Sequence, residues 1–229
     1  MDTNAAGAGR PTAPDQEELR LLADQLARMR GMLFGYSERF FERIRTYLVI
    51  TLTLLVVSGS GVFPGAVIAV PFLVPFAFLE TAYLFSYTVF ARRHAEYLER
   101  TINARFGRDV LVAHRLEAAY FYPPDAPKIA AISLGNPLGM MSATTIGYTA
   151  GALLLWFVGL IGTVSVFAPV PDATVLGIEA VTLIVAVQLL WTVAIAGHLV
   201  YSFLSRRDER KLVAELDRSY GAPPSPSAD

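Results

Sequence analysis

Between Thr46 and Ala91 the only charged side chain is Glu80, and between Ile129 and Leu204 the only ones are Asp172 and Glu179. No other feature restricts the fold as strongly. A helix that crosses a bilayer needs about 20 apolar residues, at 1.5 Å each, to cover roughly 30 Å of hydrocarbon. Each charge-poor stretch is long enough for two crossings. A helix buried in a water-soluble protein still shows one polar face, and residues 62–79 show none. Charged residues make up only 17% of the chain, against roughly 25% in an average soluble domain.

Each stretch also carries a breaker near its middle: Ser58-Gly59-Ser60-Gly61-Val62-Phe63-Pro64-Gly65 in the first, Phe167-Ala168-Pro169-Val170-Pro171-Asp172 in the second. Both have the Gly, Pro and Ser content of turns. The sequence therefore predicts an all-α integral membrane protein with four transmembrane helices in two hairpins: residues 46–63 and 65–91, then 143–168 and 174–204.

The 19 Lys and Arg side chains all fall outside these helices and their connecting tips, in residues 1–45, 92–142 and 205–229. By the positive-inside rule both termini and the middle loop lie in the cytoplasm. The expected location is a plasma (inner) membrane; high Ala, Arg, Gly and Val usage suggests a GC-rich bacterial genome. The first apolar run starts too far from Met1 for a cleaved secretory signal. Residues 1–14 read as a disordered N-terminus.

Bulk charge implies neither a polyanion nor a polycation partner. With 19 basic against 20 acidic side chains the net charge is −1, so no nucleic-acid partner is expected. The absence of cysteine removes disulfides, thiolate metal sites and cysteine nucleophiles. The histidines, His94, His114 and His198, form no ligand-spaced motif such as HExxH, and His198 reads as a side chain at the inner end of the fourth span. No phosphate-binding glycine loop, dinucleotide fingerprint or nucleophile elbow occurs. No cofactor or metal is expected.

Outside the apolar stretches the chain is patterned for helix. From residue 15 to 45 the apolar positions Leu19, Leu22, Leu26, Met29, Leu33, Tyr36 and Phe40 alternate spacings of three and four, which makes a heptad seam. Two arrangements suit it, a coiled coil within the chain or between subunits, and an amphipathic helix lying on the inner leaflet. The regularity of the seam favours the first. A second stripe, Ala91, Ala95, Leu98, Ile102 and Phe106, prolongs the second span into the cytoplasm until Gly107 stops it. A third, Leu212, Val213, Leu216 and Tyr220, occupies residues 205–220, before a disordered tail at 221–229. Three half-apolar helices on one side of a membrane are expected to pack together as a short bundle.

Residues 92–142 are harder to read. A short helix is expected from Asp109 to Tyr120, stopped by Tyr122-Pro123-Pro124. The apolar run from Ile129 to Met141 suits a re-entrant hairpin or, more economically, an amphiphilic lead-in to the third span.

The candidate functional residues are the polar side chains inside the spans. Glu80 lies near the midpoint of the second span, where an acid is costly and marks a pathway or an internal pair. Tyr83 and Tyr87 share its face at helical spacing, with Pro71 and Pro75 opposite. Gln188 and Thr192, near the middle of the fourth span, suggest a partner, because an amide can both donate to and accept from a carboxyl group. Glu80 is accordingly expected to meet Gln188, as a protonated hydrogen-bonding residue between helices or as a cation or proton site. Glu179 is expected in the first turn of the fourth span, where the helix dipole favours an acid. Gly147 and Gly151 form a GxxxG motif that allows close helix approach, with Gly159 and Gly162 further along.

These features point first to a non-enzymatic membrane scaffold or accessory subunit that self-associates or docks a protein partner through its cytoplasmic helices. The alternatives are a small channel or transporter using Glu80, and a lipid-active enzyme at the inner leaflet.

Overall fold

A computed structural model describes residues 13–121, 128–129, 132–133, 140–169, 174–175, 178–205 and 207–221. The expectations for both chain ends, for the Tyr122-Pro123-Pro124 stop and for the loop around Asp172 lie outside these residues.

The chain opens with α1, Ala13–Gly59, an uninterrupted helix of 47 residues. No proline occurs between residues 15 and 63 to break it, and its two halves are patterned for different surroundings. The first carries the heptad seam, the second is apolar nearly all round. Ser58-Gly59-Ser60-Gly61 ends it. Gly61 takes the left-handed conformation, φ 77°, which glycine adopts without a Cβ clash, and the Ser58 hydroxyl donates to the Pro64 carbonyl across the turn at 2.7 Å.

The return begins as a 3-10 helix, Pro64–Ala69, and continues as α2, Val70–Phe106. Pro71 therefore stands at the start of α2, where a missing N–H costs nothing, and only Pro75 is inside it. Gly107, at φ 63°, forms the left-handed cap that ends α2. Asn103 then holds the following loop, its Oδ1 accepting from the Val110 and Leu111 amides and its Nδ2 donating to the Leu111 carbonyl.

A short helix follows, α3, Ala113–Phe121. In the middle loop Lys128–Ile129 (β1) and Ile132–Ser133 (β2) pair antiparallel as a minimal ladder. Helix α4, Met140–Phe167, leads to a second minimal ladder, Thr174–Val175 (β3) with Ile178–Glu179 (β4). Helix α5, Ala180–Ser205, and α6, Arg207–Tyr220, complete the described chain. The fourth apolar helix thus starts six residues later than residue 174, because the preceding segment pairs as strand, and Glu179 precedes α5 rather than sitting in its first turn.

Helix α2 is the hub, touching α1, α3, α4, α5 and α6. Its longest partner is α1, which runs antiparallel to it from the Glu18–Arg105 ion pair at one end to the Ser58–Pro64 turn at the other. Leu26, Met29, Ala95, Leu98 and Ile102 form the core between them, with Leu22, Leu111 and Tyr220 packed on it. The seam of α1 therefore faces α2 of the same chain: Leu26 and Met29 are buried, and Leu19, Leu22 and Leu33 are partly covered.

Among the described residues three helices are long and apolar enough to cross a membrane: Pro64–Phe106, Ala143–Phe167 and Ala180–Ser202. They fit a membrane protein. The apolar part of α1 is shorter. After Arg45 it has fourteen residues, Thr46 to Gly59, about 21 Å of helix.

The buried seam sets a first expectation. Leu98→Ala, at a fully buried position, is expected to cost about 2–5 kcal/mol, read as a lower thermal midpoint in detergent. Leu21→Ala, on the exposed side of α1, is expected to stay within about 0.5 kcal/mol of the parent. Equal effects at both positions would contradict the packing.

Candidate functional site

The polar groups of the apolar helices collect in two places. The first surrounds Glu80. Arg43 Nε lies 3.1 Å from Glu80 Oε1, and the Tyr47 hydroxyl donates to Glu80 Oε2. Arg43 and Tyr47 are one turn apart on α1, so both reach the same carboxylate. The tyrosine ring is held by an edge contact with Phe76, centroids 6.3 Å apart. One and two turns further along α2, the Tyr83 and Tyr87 hydroxyls share a hydrogen bond of 2.7 Å, and Tyr87 stacks on Tyr36 of α1 at 4.8 Å. Arg39 stands over the Tyr36 ring at 5.9 Å, a cation–π contact.

The second place is near the turn between α1 and α2. Gln188 is fully buried; its Nε2 donates to the Ile68 carbonyl at 3.0 Å and to Thr163 Oγ1 at 3.2 Å. Thr163 in turn donates to the Gly159 carbonyl. One turn beyond Gln188, Thr192 donates to the Gln188 carbonyl and accepts from Trp156 Nε1. Trp191 Nε1 donates to the Phe72 carbonyl. These bonds tie α4 and α5 to the start of α2.

The expected pairing of Glu80 with Gln188 is therefore incorrect. Gln188 lies beside Ile68, twelve residues before Glu80, or about 18 Å along the helix axis. Equating the midpoints of the two apolar stretches assumed that α2 and α5 are centred at the same height. In the fold α5 is shifted toward the α1–α2 turn, and Glu80 takes its partners from α1.

The GxxxG expectation also needs correction. A Cβ on Gly147 or Gly151 would meet nothing within 4 Å, so neither packs against another helix of this chain. The close approach occurs at Gly159 and Gly162. A Cβ at Gly159 would come 2.7 Å from Val70 Cγ1, and one at Gly162 would collide with Val67. All four glycines lie on an apolar helix, and only the tertiary arrangement separates them.

A third cluster lies on the charged continuation of α2, and sequence reasoning missed it. Glu96 and Glu99 are buried although both are carboxylates. Arg93 and Arg100 contact Glu96, and His114 Nε2 of α3 lies 3.3 Å from it. Arg30 of α1 pairs with Glu99, whose other oxygen accepts the His114 amide at 3.1 Å. Arg93 also reaches Glu209 of α6 at 2.8 Å. Tyr97 donates to Asp217, and His94 Nε2 shares a 2.7 Å hydrogen bond with Tyr220. Burial acts to raise the Glu96 carboxyl, but His114, Arg100 and Arg93 outweigh it and hold the group down to about 2. The only advance signal was the i, i+3 and i, i+4 charge spacing of Arg93, Glu96 and Arg100.

Chemically these clusters join helices. Glu80, Glu96 and Glu99 each have an arginine partner, and a buried charge survives on those terms. No group of three or more metal-ligating side chains occurs among the described residues. Compared with known protein families, curated proteins and solved structures, the chain matches none.

The Arg43–Glu80 pair gives a measurable coupling. Arg43→Leu leaves the carboxylate with Tyr47 alone and is expected to lower the thermal midpoint in detergent by several degrees. Arg43→Leu combined with Glu80→Leu is expected to recover most of that loss, since removing both charges removes the unpaired one. A double variant as unstable as the sum of its single variants would contradict the pairing.

Proposed function

We propose that this protein is a four-crossing inner-membrane scaffold or accessory subunit, with both termini in the cytoplasm, that acts by self-association rather than by catalysis or transport. The one-sided distribution of Lys and Arg supports the orientation. The antiparallel contact of α1 with α2 up to the Ser58–Pro64 turn supports a fourth crossing despite the short apolar part of α1. Arg43 and Arg45 mark its inner end, where long basic side chains reach the headgroups, and the exposed Val62 and Phe63 extend its apolar surface at the outer tip.

The observation that carries the reading is that Glu80, the single charge of the first apolar stretch, is neutralised by Arg43 and hydrogen-bonded by Tyr47. A carboxylate held in this way joins two helices and makes a poor relay. The heptad seam, used up against α2, is replaced as the contact surface by the opposite side of α1. There Phe34, at 74% exposure, and Phe41, at 52%, stand seven residues apart, the spacing of a second heptad stripe. Both precede the apolar part of α1 and lie beyond the hydrocarbon. Phenylalanines exposed to water at helical spacing suit a second copy of the same helix.

Light scattering on the detergent-solubilised protein, together with a flux assay in vesicles, tests this. The expected result is a mass of two or more chains, reduced to one by Phe34→Ser with Phe41→Ser at unchanged helicity, and no ion flux that depends on Glu80. A monomeric parent protein, or a cation flux abolished by Glu80→Gln, would overturn the proposal.

A further inference from the structure

An apolar groove of about 390 Å³ opens between α1, α2 and α5, lined by Ile50, Leu54, Ala69, Phe72, Leu73, Phe76 and Trp191. No polar side-chain group faces it unpaired, because the one N–H in its wall, Trp191 Nε1, already donates to Phe72. The groove continues downward as a stripe. On α1, Leu54 and Ile50 are followed at helical spacing by Tyr47, Arg43 and Arg39; on α2, Leu73 and Phe76 are followed by Glu80, Tyr83 and Tyr87. One continuous face therefore runs from aliphatic and aromatic side chains to a belt of tyrosines and two arginines.

We propose that this face binds a single glycerophospholipid of the inner leaflet, one acyl chain in the groove and the phosphate at Arg43 and Arg39. Three features fit that occupant. From Ala69 to Glu80 is eleven residues, about 16 Å of helix axis, and one leaflet contributes half of a hydrocarbon core of roughly 30 Å. The groove, lined on α2 from Ala69 to Phe76, and the turn that leads from it to Glu80 together match the length of one acyl chain.

The polar end also carries available donors. Arg43 engages Glu80 through Nε, and its side chain is 53% exposed, so the guanidinium is accessible to a phosphate, which such a group binds in bidentate fashion. Tyr83, which is 60% exposed, supplies a ring at the depth where amphipathic aromatics sit in membranes. Glu80 lies beside Arg43 and leaves about one net positive charge among Arg39, Arg43 and Glu80, so the site favours a headgroup of one net negative charge over a zwitterionic or a multiply charged one.

The inner-leaflet assignment rests on the orientation given above, whereas lipid retention itself is measured in detergent and is independent of it. The experiment is native mass spectrometry of the full-length protein, delipidated and then titrated with dioleoyl phosphatidylglycerol or dioleoyl phosphatidylcholine. The expected result is one retained lipid per chain, at least threefold more of phosphatidylglycerol than of phosphatidylcholine. Arg39→Gln, which leaves the Glu80 pair intact, is expected to abolish that preference while one lipid is still retained.

Ala69→Trp, which fills the groove from its upper end, is expected to lower retention at least tenfold. Leu54→Phe fills the same space from α1 and serves as the second arm where Ala69→Trp fails to fold. Retention of no lipid above the background of Leu21→Ala, a variant outside the groove, would overturn the site. So would unchanged retention in the groove-filled variants. Equal binding of the two lipids by the parent protein would overturn the headgroup assignment.

Discussion

The antiparallel contact between α1 and α2 holds the molecule together. It runs from a charged half to an apolar half without a break. Along the charged half, leucine and methionine pack in a seam and the flanking charges pair across it, as Arg30 does with Glu99 and Glu18 with Arg105. Along the apolar half, in the proposed bilayer, there is little hydrophobic drive between helices, because lipid is as apolar as leucine. Contact there depends on shape and on polar bonds, and the Arg43–Glu80–Tyr47 cluster stands at the change from one regime to the other. Helices α4 and α5 join this hairpin near its turn, through Gly159, Gly162 and Gln188, and α3 and α6 join it at the charged end.

Much of the architecture is legible in the residues. The two charge-poor stretches, the glycine and serine break at residues 58–61 and the cap at Gly107 each act locally, so composition and spacing suffice. The seam of α1 was visible as a pattern, but its partner was not, since the same heptads suit another chain or a bilayer surface. In the fold, Leu26 and Met29 of the seam pack on Ala95, Leu98 and Ile102 of α2. Contacts that depend on the relative height of two helices were not legible. Gln188 and Glu80 are each near the middle of an apolar stretch, yet a shift of α5 along α2 keeps them apart. Gly147 and Gly159 differ in no local property; α2 happens to cross at the second.

Arg43 shows the same lesson from the other direction. It counts among the basic residues on which the proposed orientation rests, yet its flexible stem lets the guanidinium reach back to Glu80. One side chain thus serves helix pairing, the proposed topology and the proposed phosphate site. The buried acids Glu96 and Glu99 show how a chain with few charges arranges those it has: Glu96 sits among Arg93, Arg100 and His114 of α3, and Glu99 pairs with Arg30 of α1, so the charged end of the bundle is joined by ion pairs as well as by its apolar core.

The central claim is that the bilayer is the solvent for the apolar stretches, with the tip between α1 and α2 on the far side from the charged helices. The chain contains no cysteine, so a single introduced thiol reports one position without background. Ser60→Cys and Lys211→Cys, each treated in intact cells with a membrane-impermeant maleimide, measure the claim directly. The account predicts that Ser60→Cys is labelled before permeabilisation and Lys211→Cys only after it. Labelling of Ser60→Cys only after permeabilisation, with Lys211→Cys reached from outside or behaving alike, would contradict it.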